Sequence, residues 1–172
     1  THVYDRLVAA GERVGLRHAG LKALASLRME KGYRDYGHDI DNTDSVLEAG
    51  LGFAVDLKKP GGFIGRETVL AKKAAGPLHR RLVQVLLKDP EPLLFHAEVV
   101  RRDGRALGYV RAASYGFTLG GAVGLAMIDA GEPIDQAYLD RGRWEVDVAG
   151  TRYPAIASLR PLYDPDNLRV KG

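Results

Sequence analysis

The chain has 172 residues, 45% of them hydrophobic and 27% charged, with a net charge of +3 and no cysteine. That composition suits a soluble globular protein able to bury a core, and it excludes disulfides and thiolate metal sites. No apolar run reaches the roughly 20 residues of a membrane-spanning helix. The positive excess sits at Lys72, Lys73, His79, Arg80 and Arg81, then Arg101, Arg102 and Arg105, then Arg141 and Arg143. No aromatic-interleaved basic strand accompanies it, so it reads as a solvated face rather than a nucleic-acid surface. Attraction of a small polyanion is equally compatible with it. The first residue is Thr1 and no leader is visible, which reads as a piece of a longer or processed chain.

In chain order, residues 2–14 place Val3, Leu7, Ala10 and Val14 on one helical face, with Thr1 as a cap and Gly15 as a stop. A second helix is predicted from Leu21 to Lys31, with Leu21, Leu24, Ala25 and Arg28 along its stripe and Gly32 ending it. Asn42 to Ser45 reads as a turn and cap, and residues 45–50 as one or two helical turns. The alternation of Phe53, Val55 and Leu57 predicts a strand over 52–59, broken by Pro60-Gly61-Gly62. A third helix is predicted over 65–75, with Val69 and Leu70 inward and Gly76-Pro77 ending it. Beyond it come a strand at 80–88, a hairpin over 97–115 turning at Asp103-Gly104, a buried strand at 121–129 and a hairpin over 143–163 turning at Ala149-Gly150. Short strands at this spacing indicate a small antiparallel barrel or sandwich. The expected class is α+β: the end of an incomplete α/β domain over 1–78, a β-barrel over 79–165 and a polar tail over 166–172. The strand at 52–59 would be alone in its domain, leaving an edge that another chain could pair with in a dimer.

The densest chemistry lies in residues 26–41, SLRMEKGYRDYGHDID. A calcium loop opening at Asp39 needs Gly at its sixth position and Glu at its twelfth, but Asp44 and Gly50 stand there. A transition-metal site would want a second histidine near His38, and the next, His79, is far along the chain. No metal site is assigned. Arg28 and Glu30 point in different directions on a helix, whereas Glu30 and Arg34 are spaced for a solvent ion pair. GGFIGRET has neither the spacing nor the lysine of a phosphate loop, and TLGGAVG reads as tight packing or a bend. No nucleophile with a partner base stands out, so no catalytic residue is assigned.

AGLKALASLRMEKGYRDYGHDID, SVLEAGLGF, FIGRETV and SYGFTLGGAVGLAMI, in this order, resemble the C-terminal half of the glycine-cleavage T-protein (aminomethyltransferase) family. Within it, SLRMEKGYR is most similar to the folate-binding C-terminal region of FAD-dependent dimethylglycine and sarcosine dehydrogenases. Aminomethyltransferases usually carry Ala-Arg-Asp where this chain has Ala23, Leu24 and Ala25; the family's arginine there helps bind ligand. No Cys stands in the Gly61–Glu67 stretch, unlike in the folate-dependent iron–sulfur repair branch. The resemblance implies a channel for tetrahydrofolate. It puts the catalytic Asp, the main folate-gripping segment and the FAD domain before residue 1, so this piece alone would be inactive. It points to Phe53 as an aromatic contact to folate, with Tyr36, Arg28 and Leu24 as further candidates. For Phe53 strand core is the competing reading, and for Arg28 fixing of the helix by hydrogen bonds. The implied partners are folate and the rest of a parent polypeptide, without a membrane, in the cytoplasm or, in a eukaryote, the mitochondrial matrix. A truncated aminomethyltransferase and a non-catalytic β-module that binds a protein partner remain as alternatives.

Overall fold

The computed structural model describes residues 1–171. Six strands, β1 (Arg80–Leu87), β2 (Val99–Arg102), β3 (Arg105–Gly116), β4 (Gly121–Asp129), β5 (Trp144–Val148) and β6 (Thr151–Ser158), close into a barrel in the order β1-β4-β3-β2-β5-β6. All neighbours pair antiparallel. The class is α+β with a small antiparallel barrel, as the strand spacing implies. Both predicted hairpin turns form, with positive φ at Asp103-Gly104 and Ala149-Gly150, the twist that two-residue turns require.

The apolar run of β4 follows from burial on both faces. Ala122, Ala126 and Ile128 face the barrel interior with Val83, Val85, Val100, Val110 and Val146. Val123, Leu125 and Met127 face outward into a second cluster with Leu82 and Met29. Gly124 lets the strands close tightly, because a Cβ there would lie 3.0 Å from Val110 and 3.1 Å from the Ala112 carbonyl. A bulge shifts the β3–β4 register between Val110 and Ala112. Arg111 is the extra residue, and a bulge re-aims its side chain out of the strand's alternation.

The helices are α1 (His2–Gly11), α2 (Leu21–Glu30), α3 (Arg66–Ala74), α4 (Gln136–Arg141) and α5 (Leu168–Lys171). Their existence matches the periodicity better than their facing does. Val3, Leu7 and Val14 are 72%, 64% and 83% exposed, so the stripe of α1 packs on nothing among the described residues. In α2 the expected inward stripe is reversed: Leu21 and Leu24 are exposed, while Ser26, Met29 and Glu30 are buried. The cause is Met29, which completes the outer apolar cluster of the barrel, and Ser26, whose Oγ donates to the Tyr115 carbonyl at 2.6 Å. α4 escaped the sequence reading because six residues carry too little periodicity; Asp135 caps it by accepting from the Tyr138 N–H at 2.7 Å.

The strand expected at 52–59 does not form. Gly52–Ala54 is a 3₁₀ turn, and further turns follow, closed by Lys59 N–H to Asp56 O at 3.2 Å and Gly62 N–H to Lys59 O at 3.0 Å. With no partner strand beside it, the backbone satisfies its groups locally. Among the described residues 1–78 the only ladder contact is the single Tyr36–Ile40 bridge. With no strand at 52–59, the open sheet edge expected there to support a dimer is absent among the described residues. No described helix is long and apolar enough to cross a membrane.

Glu30 joins α2 to the barrel. It is 2% exposed, and its Oε1 accepts the Thr118 N–H at 2.7 Å and the Leu119 N–H at 2.9 Å. The surface ion pair expected between Glu30 and Arg34 is therefore absent: Glu30 is spent on the turn between β3 and β4 and Arg34 on backbone carbonyls. Glu30→Ala should cost about 2–3 kcal/mol, since two part-buried N–H groups lose a charged acceptor. Glu30→Gln, which keeps an acceptor oxygen, should cost less. Denaturant midpoints of the two variants measure the difference, and equal losses would contradict it.

Candidate functional site

The segment from Gly32 to Phe53 has almost no regular structure, yet it is pinned at many points. Arg28, at the end of α2, donates from Nη1 to the Tyr33 carbonyl at 2.9 Å and to the Asp39 carboxylate. Asp39 is fully buried, and its Oδ2 also accepts the Asp35 N–H at 2.8 Å. Arg34 donates from Nε to the Ala49 carbonyl at 2.9 Å. Burial pulls the Arg34 guanidinium below its ordinary value, and the charge of Asp39 opposes this.

Beyond Asp39 the barrel takes over. Arg111, the bulged residue, reaches the Asp39 carbonyl and the Asp44 carboxylate. Arg80, at the start of β1, donates to Asp44 Oδ1 at 2.7 Å and to Glu48 Oε2 at 3.2 Å. Lys72 of α3 closes on Glu48 Oε1 at 2.6 Å. Ser45 and Glu48 form a capping box: Ser45 Oγ accepts from the Leu47 N–H and Glu48 Oε2 from the Ser45 N–H. Burial pushes the Asp44 carboxyl up, but hydrogen bonds from Arg111, the Asp41 N–H and Arg80 outweigh it and hold the group below the ordinary carboxylate range. Glu48 is held low in the same way, burial being outweighed by Lys72 and the Ser45 N–H, then by the charge of Arg80.

This network uses two of the three acidic residues of HDIDNTD, the third, Asp41, accepting from Thr43. Asp39 and Asp44 serve arginines, while exposed His38 pairs only with Asp35, at 3.1 Å. Among the described residues no group of three or more His, Asp or Glu is arranged to hold a metal ion.

The pinned segment forms one side of a cleft of about 610 Å³, with Tyr36, Ile40, Leu51 and Phe53 in its wall. Pro161, Pro165 and Asn167 form the opposite side. They are held there by Lys31, whose Nζ donates to the Asp164 carbonyl at 2.7 Å and to Asn167 Oδ1 at 2.7 Å. Gln84 adds a second tie, accepting the Leu162 N–H at 2.6 Å while donating to the Met29 carbonyl at 2.6 Å. Phe53 is 87% exposed and Tyr36 70% exposed, so neither ring is core. This departs from the competing reading of Phe53 as packed strand interior. Leu24 and Arg28 line an adjoining depression of about 440 Å³. Lys31, Tyr33 and Arg34 border both hollows. The four residues singled out in the sequence thus fall on one face, two in each hollow. Arg28 is chiefly occupied with Asp39 and Tyr33. The sequence reading missed Lys31, Gln84 and the C-terminal wall, because their partners lie far away in the chain. A signal existed for Gln84, a lone polar residue in the otherwise apolar run LVQVLL.

The family model for the GCVT N-terminal domain matches residues 1–59, and that for the glycine cleavage T-protein C-terminal barrel domain matches residues 80–164. The chain is 43% identical over 171 residues to 4-methylaminobutanoate oxidase (formaldehyde-forming) of Paenarthrobacter nicotinovorans, a match covering 99% of this chain and 20% of that protein. It is 40% identical over 172 residues to the mitochondrial sarcosine dehydrogenase of Homo sapiens, covering 99% of this chain and 18% of that one. It therefore spans about a fifth of the length of these relatives. The solved structure of glycine cleavage system aminomethyltransferase T from Bartonella henselae superposes with a TM-score of 0.69 at 21% identity, over 88% of this chain and 41% of that one, a likeness of fold.

The buried carboxylates make the site acid-sensitive. Asp44 and Glu48 have folded-state pKa values below their unfolded ones, so their stabilisation is complete above about pH 5 and is lost as pH falls through the folded values. The urea midpoint should be steady between about pH 7 and 5 and drop below about pH 4. Asp44→Asn should lower the neutral-pH midpoint and shrink that acid drop. An acid drop of unchanged size in the variant would show that other groups set it.

Proposed function

The chain belongs to the glycine cleavage T-protein family, and from that premise we propose that it forms one wall of a tetrahydrofolate site in a longer, flavin-linked enzyme that oxidatively demethylates an N-methylglycine-type amine. The observation that carries this reading is the exposed aromatic pair. Phe53 and Tyr36 stand open to solvent on a cleft whose walls are otherwise held by buried hydrogen bonds. Exposing two rings without a packing partner is costly to a fold, and a flat heteroaromatic ligand is the natural occupant of such a cleft. The volume of about 610 Å³ lies within the range of small-molecule sites.

In such an enzyme the N-methyl group would give up a hydride to FAD held elsewhere in the longer protein, leaving an iminium, and the carbon would then pass at the formaldehyde level to tetrahydrofolate as the demethylated amine departs. This chain's part is to bind and orient the folate ring and to keep water from the transferred carbon. Phe53 and Tyr36 offer faces for stacking. Lys31 ties down the C-terminal wall and Arg34 braces the opposite one, since each is engaged by oxygen acceptors of the protein itself. FAD is assigned to other parts of the longer protein: the described residues contain no strand–turn–helix with a glycine fingerprint that would fit it. The names of the two oxidising relatives support the demethylase reading over an aminomethyltransferase. Leu24 supports it too, standing 59% exposed where the aminomethyltransferase form carries a ligand-binding arginine. In a eukaryote the mitochondrial matrix would be the setting, in keeping with the mitochondrial relative.

Phe53→Ala and Tyr36→Ala should each weaken binding of 5-formyltetrahydrofolate to the full-length protein about three- to ten-fold, the range expected for losing one stacked ring. Isothermal titration measures it. Unchanged affinity in both variants would remove the cleft from the folate site.

A further inference from the structure

The two sides of the aromatic cleft are held unequally. The segment from Gly32 to Phe53 is pinned by Arg28, Arg34, Lys72, Arg80 and Arg111. The other side is the stretch after β6, with Pro161, Pro165 and Asn167 in the cleft wall. Leu159 is the last described residue packed on either apolar cluster of the barrel. Leu162 is tied by its N–H to Gln84 Oε1 at 2.6 Å. Beyond Leu162, every hydrogen bond from the described residues to the fold before Arg160 comes from one group. The Lys31 ammonium donates to the Asp164 carbonyl at 2.7 Å, to Asp164 Oδ2 at 3.2 Å and to Asn167 Oδ1 at 2.7 Å.

The stretch is otherwise bonded to itself. Arg160 donates to Asp166 and to the Pro165 carbonyl. Asp164 Oδ1 accepts the Leu168 N–H at 2.8 Å and the Arg169 N–H at 3.3 Å, opening α5. Leu168 and Val170 of α5 are exposed, although a fixed wall would be anchored by burying such residues. A unit with internal bonds, no apolar anchor and one polar tie lies at the low end of local stability, where lids are found. Lys31 lines the cleft, so the tie sits beside the ligand's space.

We propose that residues 163–171 form a lid on the aromatic cleft, hinged at Pro161-Leu162 and latched shut by Lys31. Releasing the ammonium frees three acceptors at once and lets Pro165 and Asn167 swing away from Tyr36 and Phe53. Ligand then enters and leaves through the C-terminal side, while the arginine-pinned side stays in place. The ligand is taken from the folate reading above; the latch follows from the contacts of Lys31 alone.

Stopped-flow fluorescence of 5-formyltetrahydrofolate with the full-length protein tests the lid. A lid limits both entry and exit, so in Lys31→Met the association and dissociation rates should both rise about ten-fold, the size expected of a lost charged hydrogen bond. Asn167→Gly removes one acceptor and suits the left-handed backbone there, φ 57°. It should raise both rates by a smaller factor. Faster dissociation with an unchanged association rate would overturn the lid and leave Lys31 as part of a fixed wall. Hydrogen exchange without ligand gives a second readout. A four-residue helix does not persist alone, so the Leu168 and Arg169 amides report opening. Their exchange should be about ten-fold faster in Lys31→Met while that of β1 and β4 is unchanged. Equal exchange in the two proteins would also overturn the lid. If 5-formyltetrahydrofolate does not bind at all, the folate reading falls, and the exchange comparison still decides the latch.

Discussion

The buried pairing of Asp44 and Glu48 with Arg80, Arg111 and Lys72 is the constraint on which the functional face depends. It ties an irregular segment to the barrel, beside the Leu82 N–H that donates to the Glu48 carbonyl at 2.8 Å and Ile40 on the outer apolar cluster. The segment from Gly32 to Phe53 lacks the repeating backbone ladder that fixes a strand, so side chains must supply its partners. Charged ones do so with the strongest hydrogen bonds available. The pairs are not simply added stability, since burying each charge costs much of what pairing returns. Their effect is directional. Breaking one pair strands a buried charge, typically at a cost of about 3–5 kcal/mol, so the segment has one arrangement rather than several.

That arrangement is written into the barrel. The bulge at Arg111 takes a residue out of the alternation of β3 and turns it toward Asp39 and Asp44. Arg80 occupies the first position of β1, where the strand emerges beneath Glu48. β1 and β4 carry apolar residues on both faces, so the barrel has a second, outer cluster for Met29 of α2. The closed sheet thus works as a platform. Its interior secures it, and its outer face and strand ends hold α2, the loop segment and the C-terminal wall.

The sequence showed the barrel more clearly than the site. Alternation, the two turns at Asp103-Gly104 and Ala149-Gly150, and the unbroken apolar run of β4 are local signals, and each led to the right element. Helix existence was legible in the same way. Helix facing was not, because a leucine stripe in α2 is outvoted by Met29, Ser26 and Glu30, whose partners lie on strands distant in sequence. The alternation of Phe53, Val55 and Leu57 suggested a strand, but alternation without a neighbour to pair with does not make one. The acidic run HDIDNTD looked like free chemistry until the arginines that consume it were in place. Motif order pointed to Phe53 and Tyr36, and the structure put both on one cleft. Lys31, Gln84 and the proline-bearing wall opposite them had no local signature.

Commitment of side chains separates positioning from recognition. A cation already bonded to buried acceptors has little to offer a ligand, since it would have to give up those bonds to do so. Lys31, Arg34, Arg28, Arg80 and Arg111 are all in this position, so they set shape. Around the aromatic cleft and a hollow of about 710 Å³ that meets it at Phe53, the exposed rings of Phe53 and Tyr36 and the side chains of Lys58 and Lys73 carry no such bonds. The rings face the cleft and the lysines that hollow, and Phe53 stands between them. Stacking supplies affinity with little directional demand. The charges that first drew the eye in residues 26–41 therefore build the wall. The recognising rings, Tyr36 within that stretch and Phe53 beyond it, stay free because Asp39, Asp44 and Glu48 hold the backbone that carries them.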